Sequence, residues 1–113
     1  MDKVPEGIIS ILDNARNSLS LFAETHFSLF AEDGEPILML SAEIKKDNLS
    51  KGVVIIYDHP KKVVKVEAIT INIHTMKEEE VLIRKTVDAS DIKKIKKSIS
   101  ELIRLVRVTR FLR

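Results

Sequence analysis

Basic side chains recur in pairs where strands should end: Lys45 and Lys46 with Lys51, Lys61 and Lys62 with Lys65, and Arg84 beside Lys85. Such groups neutralise phosphates, the interaction that supplies most sequence-independent affinity for nucleic acid and makes it salt-dependent. Phe30 and Tyr57 are the rings expected on the more exposed sheet face, where stacking on a base is worth roughly 1–3 kcal/mol. Asn72 and His74 share one side of the longest expected strand and could add hydrogen bonds. The candidate nucleic-acid-binding set is therefore Phe30, Lys45, Lys46, Tyr57, Lys61, Lys62, Lys65, Asn72, His74 and Arg84. The plainer reading is that Phe30 fills a second small core and the lysines only solubilise the chain. A net charge of +2 is too low to make the electrostatic argument alone.

Other chemistries find less to work with. His26, His59 and His74 are far apart in sequence and none has a metal-ligand spacing. Asp58-His59 falls in an expected turn and reads as a solvated pair rather than a base with its orienter. Gly7, Gly34 and Gly52 are isolated, so no glycine-rich phosphate loop exists, and no serine has a G-x-S-x-G setting. Glu78-Glu79-Glu80 reads as the solvated tip of a hairpin. With no cysteine, disulfides and thiolate metal sites are excluded. The expectation is a protein that is not an enzyme and has no cofactor or metal.

The elements that must position these residues follow from hydrophobic period. Ile8, Leu12, Ala15, Leu19 and Phe22 recur at steps of four and three, and Pro5 suits a first helical turn, so 5–22 reads as an amphipathic helix. The period then changes to two. Segments 25–31 and 36–45 flank Asp33-Gly34, a strong hairpin signal. That turn sets Phe27, Leu29 and Ala31 on the face of Leu38 and Leu40, with His26, Ser28 and Phe30 opposite beside Ile37, Met39 and Ser41. A polar connection is expected over 45–51, strands over 53–57, 63–75 and 81–87, and turns at 58–61 and 76–80. Ile37, Met39, Val53 and Ile55 are expected on the side away from the first core. In the longest strand Val64 and Val66 oppose Ile69, Ile71 and Ile73. A bulge near Glu67-Ala68 would return both sets to one core face. The polar face beyond it would then hold Thr70, Asn72 and His74 beside Arg84 and Thr86.

The chain closes on a second helix over about 89–112, with Asp88 as N-cap and Asp91 favouring its start. Residues 90–113 hold eight Lys or Arg against two acids, a net of +6, while 1–89 carries −4. Ile92, Ile95, Ile99, Leu102 and Val106 form a packing seam, and Lys93, Lys94, Lys97, Arg104 and Arg107 fall outside it. From Ile103 the helix is apolar nearly all round (Leu105, Val106, Val108, Phe111, Leu112), more than one sheet face can cover. Ile99, Leu102, Ile103 and Val106 are therefore the expected oligomerisation residues. The fold expected for 1–113 is a single α+β domain, α-β-β-β-β-β-α, with an antiparallel five-stranded meander.

Hydrophobic content of 44% beside 32% charged residues fits a folded globule, and no apolar run approaches the ~20 residues that span a bilayer. The first residues mix charges and lack a cleavage site, so the expected compartment is cytoplasmic. Absence of Gln and Cys, few Asn, and abundant Lys and Glu is the thermophile pattern. The hairpin HFSLFAEDGEPILMLSAEI, the strand VVKVEAITINIH and the helix SDIKKIKKSISELIRLVRV resemble, in element order, the ThermoDBP-related single-stranded DNA-binding proteins of thermophilic archaea. That resemblance implies a cofactor-free cytoplasmic protein that binds single strands across a sheet as a dimer or larger assembly. The expectation is thus a non-catalytic protein that binds single-stranded nucleic acid, DNA by the resemblance, and associates with itself. Its alternative is a protein–protein assembly module.

Overall fold

Apolar spacing of three and four builds two helices here, and alternation builds everything between them. The computed structural model describes residues 4–108. It comprises α1 (Glu6–Leu19), β1 (Glu24–Glu32), β2 (Glu35–Lys46), β3 (Leu49–Asp58), β4 (Val63–Asn72), β5 (Glu78–Asp88) and α2 (Ile92–Val108). The strands pair antiparallel in chain order, so the expected α+β meander is observed. The continuation of the last helix to 112, the side chain of Val108, and Phe111 and Leu112 lie outside the described residues. No helix among the described residues is long and apolar enough to cross a membrane.

Both helices pack on the same face of the sheet. Ile8, Ile11, Leu12, Ala15 and Leu19 of α1 meet Ile95, Ile99, Leu102 and Val106 of α2 over one sheet face. That face is built from Leu38, Leu40, Ala42, Val53, Ile55, Tyr57, Val64, Val66, Ala68, Ile83 and Val87. The molecule is only 22 Å through its thinnest direction, which is one sheet and one helical layer. The other face carries no layer.

Turn chemistry sets the register. Asp33 and Gly34 take φ of +53° and +78°, the left-handed pair that a two-residue hairpin needs, and Glu32 pairs with Glu35 as expected. The polar stretch 45–51 is not a connection. β2 and β3 run through it and reverse at Asp47-Asn48, where Asp47 adopts φ +56°. This turn places Val53 and Ile55 in the helix-covered core, and Val54 and Ile56 on the open face, opposite to the expected parity. β4 keeps strict alternation with no bend at Glu67-Ala68. The irregularities lie in β5, where Ala68 pairs with Ile83 but Ile69 with Val81, and Thr70 with Glu80 but Ile71 with Glu78, so Leu82 and Glu79 are the extra residues. Ile69 and Ile71 therefore stay on the open face.

The start of α2 is also set differently. Asp91, not Asp88, caps it: the Lys94 N–H donates to Asp91 Oδ1 at 3.1 Å. Asp88 ends β5 and accepts from the Ser90 hydroxyl (2.6 Å) and N–H (2.8 Å), which holds its carboxyl below the usual range.

Lys51 is buried, and its ammonium donates to the Val106 carbonyl at 3.2 Å, in the last turns of α2. A cation suits that place because carbonyl oxygens of a helix point toward its C-terminal, negative end. Lys51, Thr70 and Glu80 stand in one row across β3, β4 and β5. Burial lowers the Lys51 pKa, and the Glu80 carboxylate opposes that shift.

Two stability predictions follow from this packing. Leu102→Ala, which empties a fully buried site under the sheet, should cost about 2–5 kcal/mol in urea unfolding, and Asp91→Ala about 1 kcal/mol. Because the Lys51 pKa is lowered on folding, the unfolded chain keeps a proton that the folded chain gives up below 10.5. The stability of the wild type relative to Lys51→Met should therefore increase as pH rises from neutral toward that value. Unfolding curves for the pair across this range check the sign.

Candidate nucleic-acid interface

Among the described residues no cation of α2 pairs with an acid; Lys46, Lys61, Lys62, Lys65 and Lys77 are likewise unpaired with acids but are dispersed over the sheet and its turns. Burying Ile95, Ile99, Leu102 and Val106 turns Lys93, Lys94, Lys96, Lys97, Arg104 and Arg107 outward, and all six are exposed. Residues four apart on this ridge, such as Lys93 and Lys97, are about 6 Å apart along the axis. The two acids of the segment are engaged elsewhere. Asp91 caps the helix, and Glu101 accepts from the Lys85 ammonium of β5 at 3.0 Å. Between β5 and the first turns of α2 lies a shallow groove of about 410 Å³, lined by Lys85, Asp91, Lys93, Lys94, Lys97 and Ser98. With Lys85 paired to Glu101, the three unpaired lysines Lys93, Lys94 and Lys97 outweigh Asp91 and leave a local positive field to which a phosphate backbone is attracted.

The open sheet face is different in character. Its middle is aliphatic: Met39, Val54, Ile56, Ile69 and Ile71, each half-buried by its neighbours. Phe30 is 46% exposed on the edge strand β1. Lys45 pairs with Glu43 at 3.5 Å. Arg84 is held by Glu67 and by Glu78 (3.0 Å), and these two carboxylates raise its already high pKa. A guanidinium bound to two carboxylates in its own face is poorly placed to receive a phosphate.

The structure scatters the residues expected to form one surface. Phe30, Lys45, Lys65 and Arg84 do share the open face. Lys61 and Lys62 are exposed in the β3–β4 turn, and Lys46 is exposed at the β2–β3 turn. Tyr57 cannot stack on a ligand, because its ring is fully buried under the helices opposite Leu38 and Val64. Its hydroxyl shares a 2.6 Å hydrogen bond with His59 Nδ1, and burial, then Asp58 and Glu35, push its pKa up. Asp58-His59 is likewise no solvated pair: Asp58 is buried and accepts from the Lys61 N–H at 3.2 Å. Asn72 is spent on the β4–β5 turn, where Oδ1 accepts the N–H groups of His74 (3.0 Å) and Thr75 (3.2 Å). His74 is exposed in that turn, and Thr70 is buried on the helix-covered side. The expected polar face of Thr70, Asn72, His74, Arg84 and Thr86 does not form.

The residues expected to join subunits need the same correction. Ile99, Leu102 and Val106 are 5%, 0% and 1% exposed against the protein's own sheet and α1. Ile103 is half-buried beside Ile11, Ala15 and Ser18 of α1. Lys85, noted in sequence only as the neighbour of Arg84, lies in β5 opposite Val66 and beside α2, so it joins the helix lysines at the groove and not Arg84 on the open face. Among the described residues, no three His, Asp or Glu side chains converge as a metal site requires. No protein-family model, curated protein or solved structure matches this chain.

Proposed function

We propose that this is a non-catalytic protein that binds single-stranded nucleic acid, held by its phosphates along α2 rather than by bases stacked on the sheet. The observation that carries the reading is the unmatched cationic ridge Lys93, Lys94, Lys97, Arg104 and Arg107, together with the lysine-lined groove at its start. A flexible single strand can follow cations spaced about one helical turn apart, releasing counterions as each phosphate is neutralised. The likeness in element order to the ThermoDBP-related proteins supports a single strand as the ligand. The sheet cations do not add to the ridge: Lys45 and Arg84 are already paired with carboxylates, and Lys65 stands on the sheet face opposite the helices.

Fluorescence anisotropy with a labelled oligonucleotide tests this. With four or five phosphates neutralised, log affinity should fall with log salt at a slope of about −3. Changing Lys93, Lys94 and Lys97 together to Glu should weaken binding at least about tenfold, while Phe30→Ala should leave it nearly unchanged. Absence of binding at low salt, or binding indifferent to salt, sinks the reading. Loss of affinity with Phe30→Ala but not with the lysine variant would move the ligand to the sheet.

A further inference from the structure

The open face of the sheet has no role in the phosphate contacts, and its residues describe an occupant of their own. Five strands about 4.8 Å apart, with about ten residues rising ~3.3 Å each, span roughly 24 by 33 Å, or about 800 Å². That matches the ~800 Å² which each partner contributes to a standard specific interface. On its central strands Val54, Ile56, Ile69 and Ile71, with Met39 beside them on β2, are interleaved with Lys65 and Glu67, a larger aliphatic share than a face turned to water needs.

Gly52 adds an independent sign. It lies inside β3, the central strand, paired with Glu43 and Ile69 on that face. Glycine weakens a strand interior, so a reason for it is expected. The fold supplies none: its φ is not in the left-handed region, and a Cβ built there meets nothing within 4 Å. A bare backbone in the middle of an uncovered face is what close approach of another backbone requires.

Charge selects the occupant. On this face Lys45 is answered by Glu43 and Arg84 by Glu67 and Glu78, Lys65 pairs with no carboxylate among the described residues, and the acids Glu24, Glu32, Glu43, Glu67 and Glu78 outnumber these three cations. A polyanion therefore meets no surplus positive charge. An identical face, carrying both signs around an aliphatic centre, meets itself without uniform repulsion and satisfies the isologous contact of a two-fold pair. We propose that the open faces of two copies of this chain pack against each other, with Gly52 at the point of closest approach. The inference stands apart from the reading of α2.

Light scattering coupled to size exclusion, at low and high micromolar concentration, tests it on the whole chain. The wild type should show twice the 12.8 kDa chain mass. Gly52→Val suits a strand and meets no internal neighbour, so it should keep the far-ultraviolet circular dichroism and cooperative melting of the wild type. It should nevertheless dissociate at least about tenfold more readily. Ile56→Glu, at a half-exposed site, should do the same. A wild type of single-chain mass at high micromolar concentration overturns the proposal. So does a dimer that both substitutions leave intact, which would place the contact elsewhere. If the wild type is monomeric and Gly52→Val or Ile56→Glu abolishes oligonucleotide binding, the face belongs to nucleic acid and the pairing is wrong. Loss of oligonucleotide binding by the α2 lysine variant alone leaves the dimer expected as before, so the two readings fail separately.

Discussion

Two helices cannot cover both faces of a five-stranded sheet, and the rest of this molecule follows from how that shortage is resolved. Packed helices stand about 8–10 Å apart, so two side by side cover roughly 20 Å, close to the full width of one face. Both are used there. The apolar seam of α2, which looks like a surplus when the helix is considered alone, is consumed by Val53, Ile55, Val64 and Val66 beneath it. Even that face is not fully covered at its edge. Leu29 on β1 remains 49% exposed beside a groove bounded by Ile9, Phe27 and Leu38. Across the sheet nothing is left to cover Met39, Val54, Ile56, Ile69 and Ile71. Among the described residues most of the uncovered aliphatic area thus resides on the strands, with Ile92 exposed at the start of α2.

The same packing makes the cationic ridge tolerable. Lys93, Lys94, Lys96 and Lys97 crowd one and a half turns of α2, and like charges at three- and four-residue spacing destabilise an isolated helix. They also lie near the positive end of the helix dipole, where cations are disfavoured. The helix persists because it is held otherwise. Asp91 caps its start, Ile95, Ile99, Leu102 and Val106 are buried along its length, and Lys51 binds the Val106 carbonyl near its end. A stability cost of this kind, concentrated on one exposed face and offset by packing behind it, is the pattern expected where the charges serve a ligand.

Which of these features were legible beforehand depended on whether they could be counted. Helix and strand identity came from periodicity, and the β1–β2 register from Asp33-Gly34, because both are local. Face assignment beyond β2 was not local. Strand parity reverses with a change of one residue in a turn, so reading 45–51 as a polar connection put Val53 and Ile55 on the wrong side. The apparent conflict within β4 had the same origin. Its alternation is regular, and the extra residues, Leu82 and Glu79, sit in the partner strand where β4's own sequence cannot show them. For the site, the ridge residues were visible on a helical wheel, whereas Tyr57 inherited its false exposure from the parity error. The assembly residues failed for a different reason: a seam that fits a partner helix fits a sheet equally well, and apolar spacing does not distinguish them.

The two surfaces lie on opposite sides of a layer 22 Å thick, and that separation has a physical consequence. Packing sheet to sheet would turn both α2 ridges outward, with two full molecules between them, too far apart to grip one short run of phosphates. Each ridge would then act as a separate site, and a strand long enough to pass around the pair would gain from the second contact by effective concentration alone. The forces differ as well. Phosphate contacts weaken as salt rises, while burial of aliphatic surface is not screened and is strengthened by excluded salts. If both proposals hold, a chain that divides its charge and its uncovered apolar area in this way would release a polyanion without coming apart, which a single mixed surface would not do.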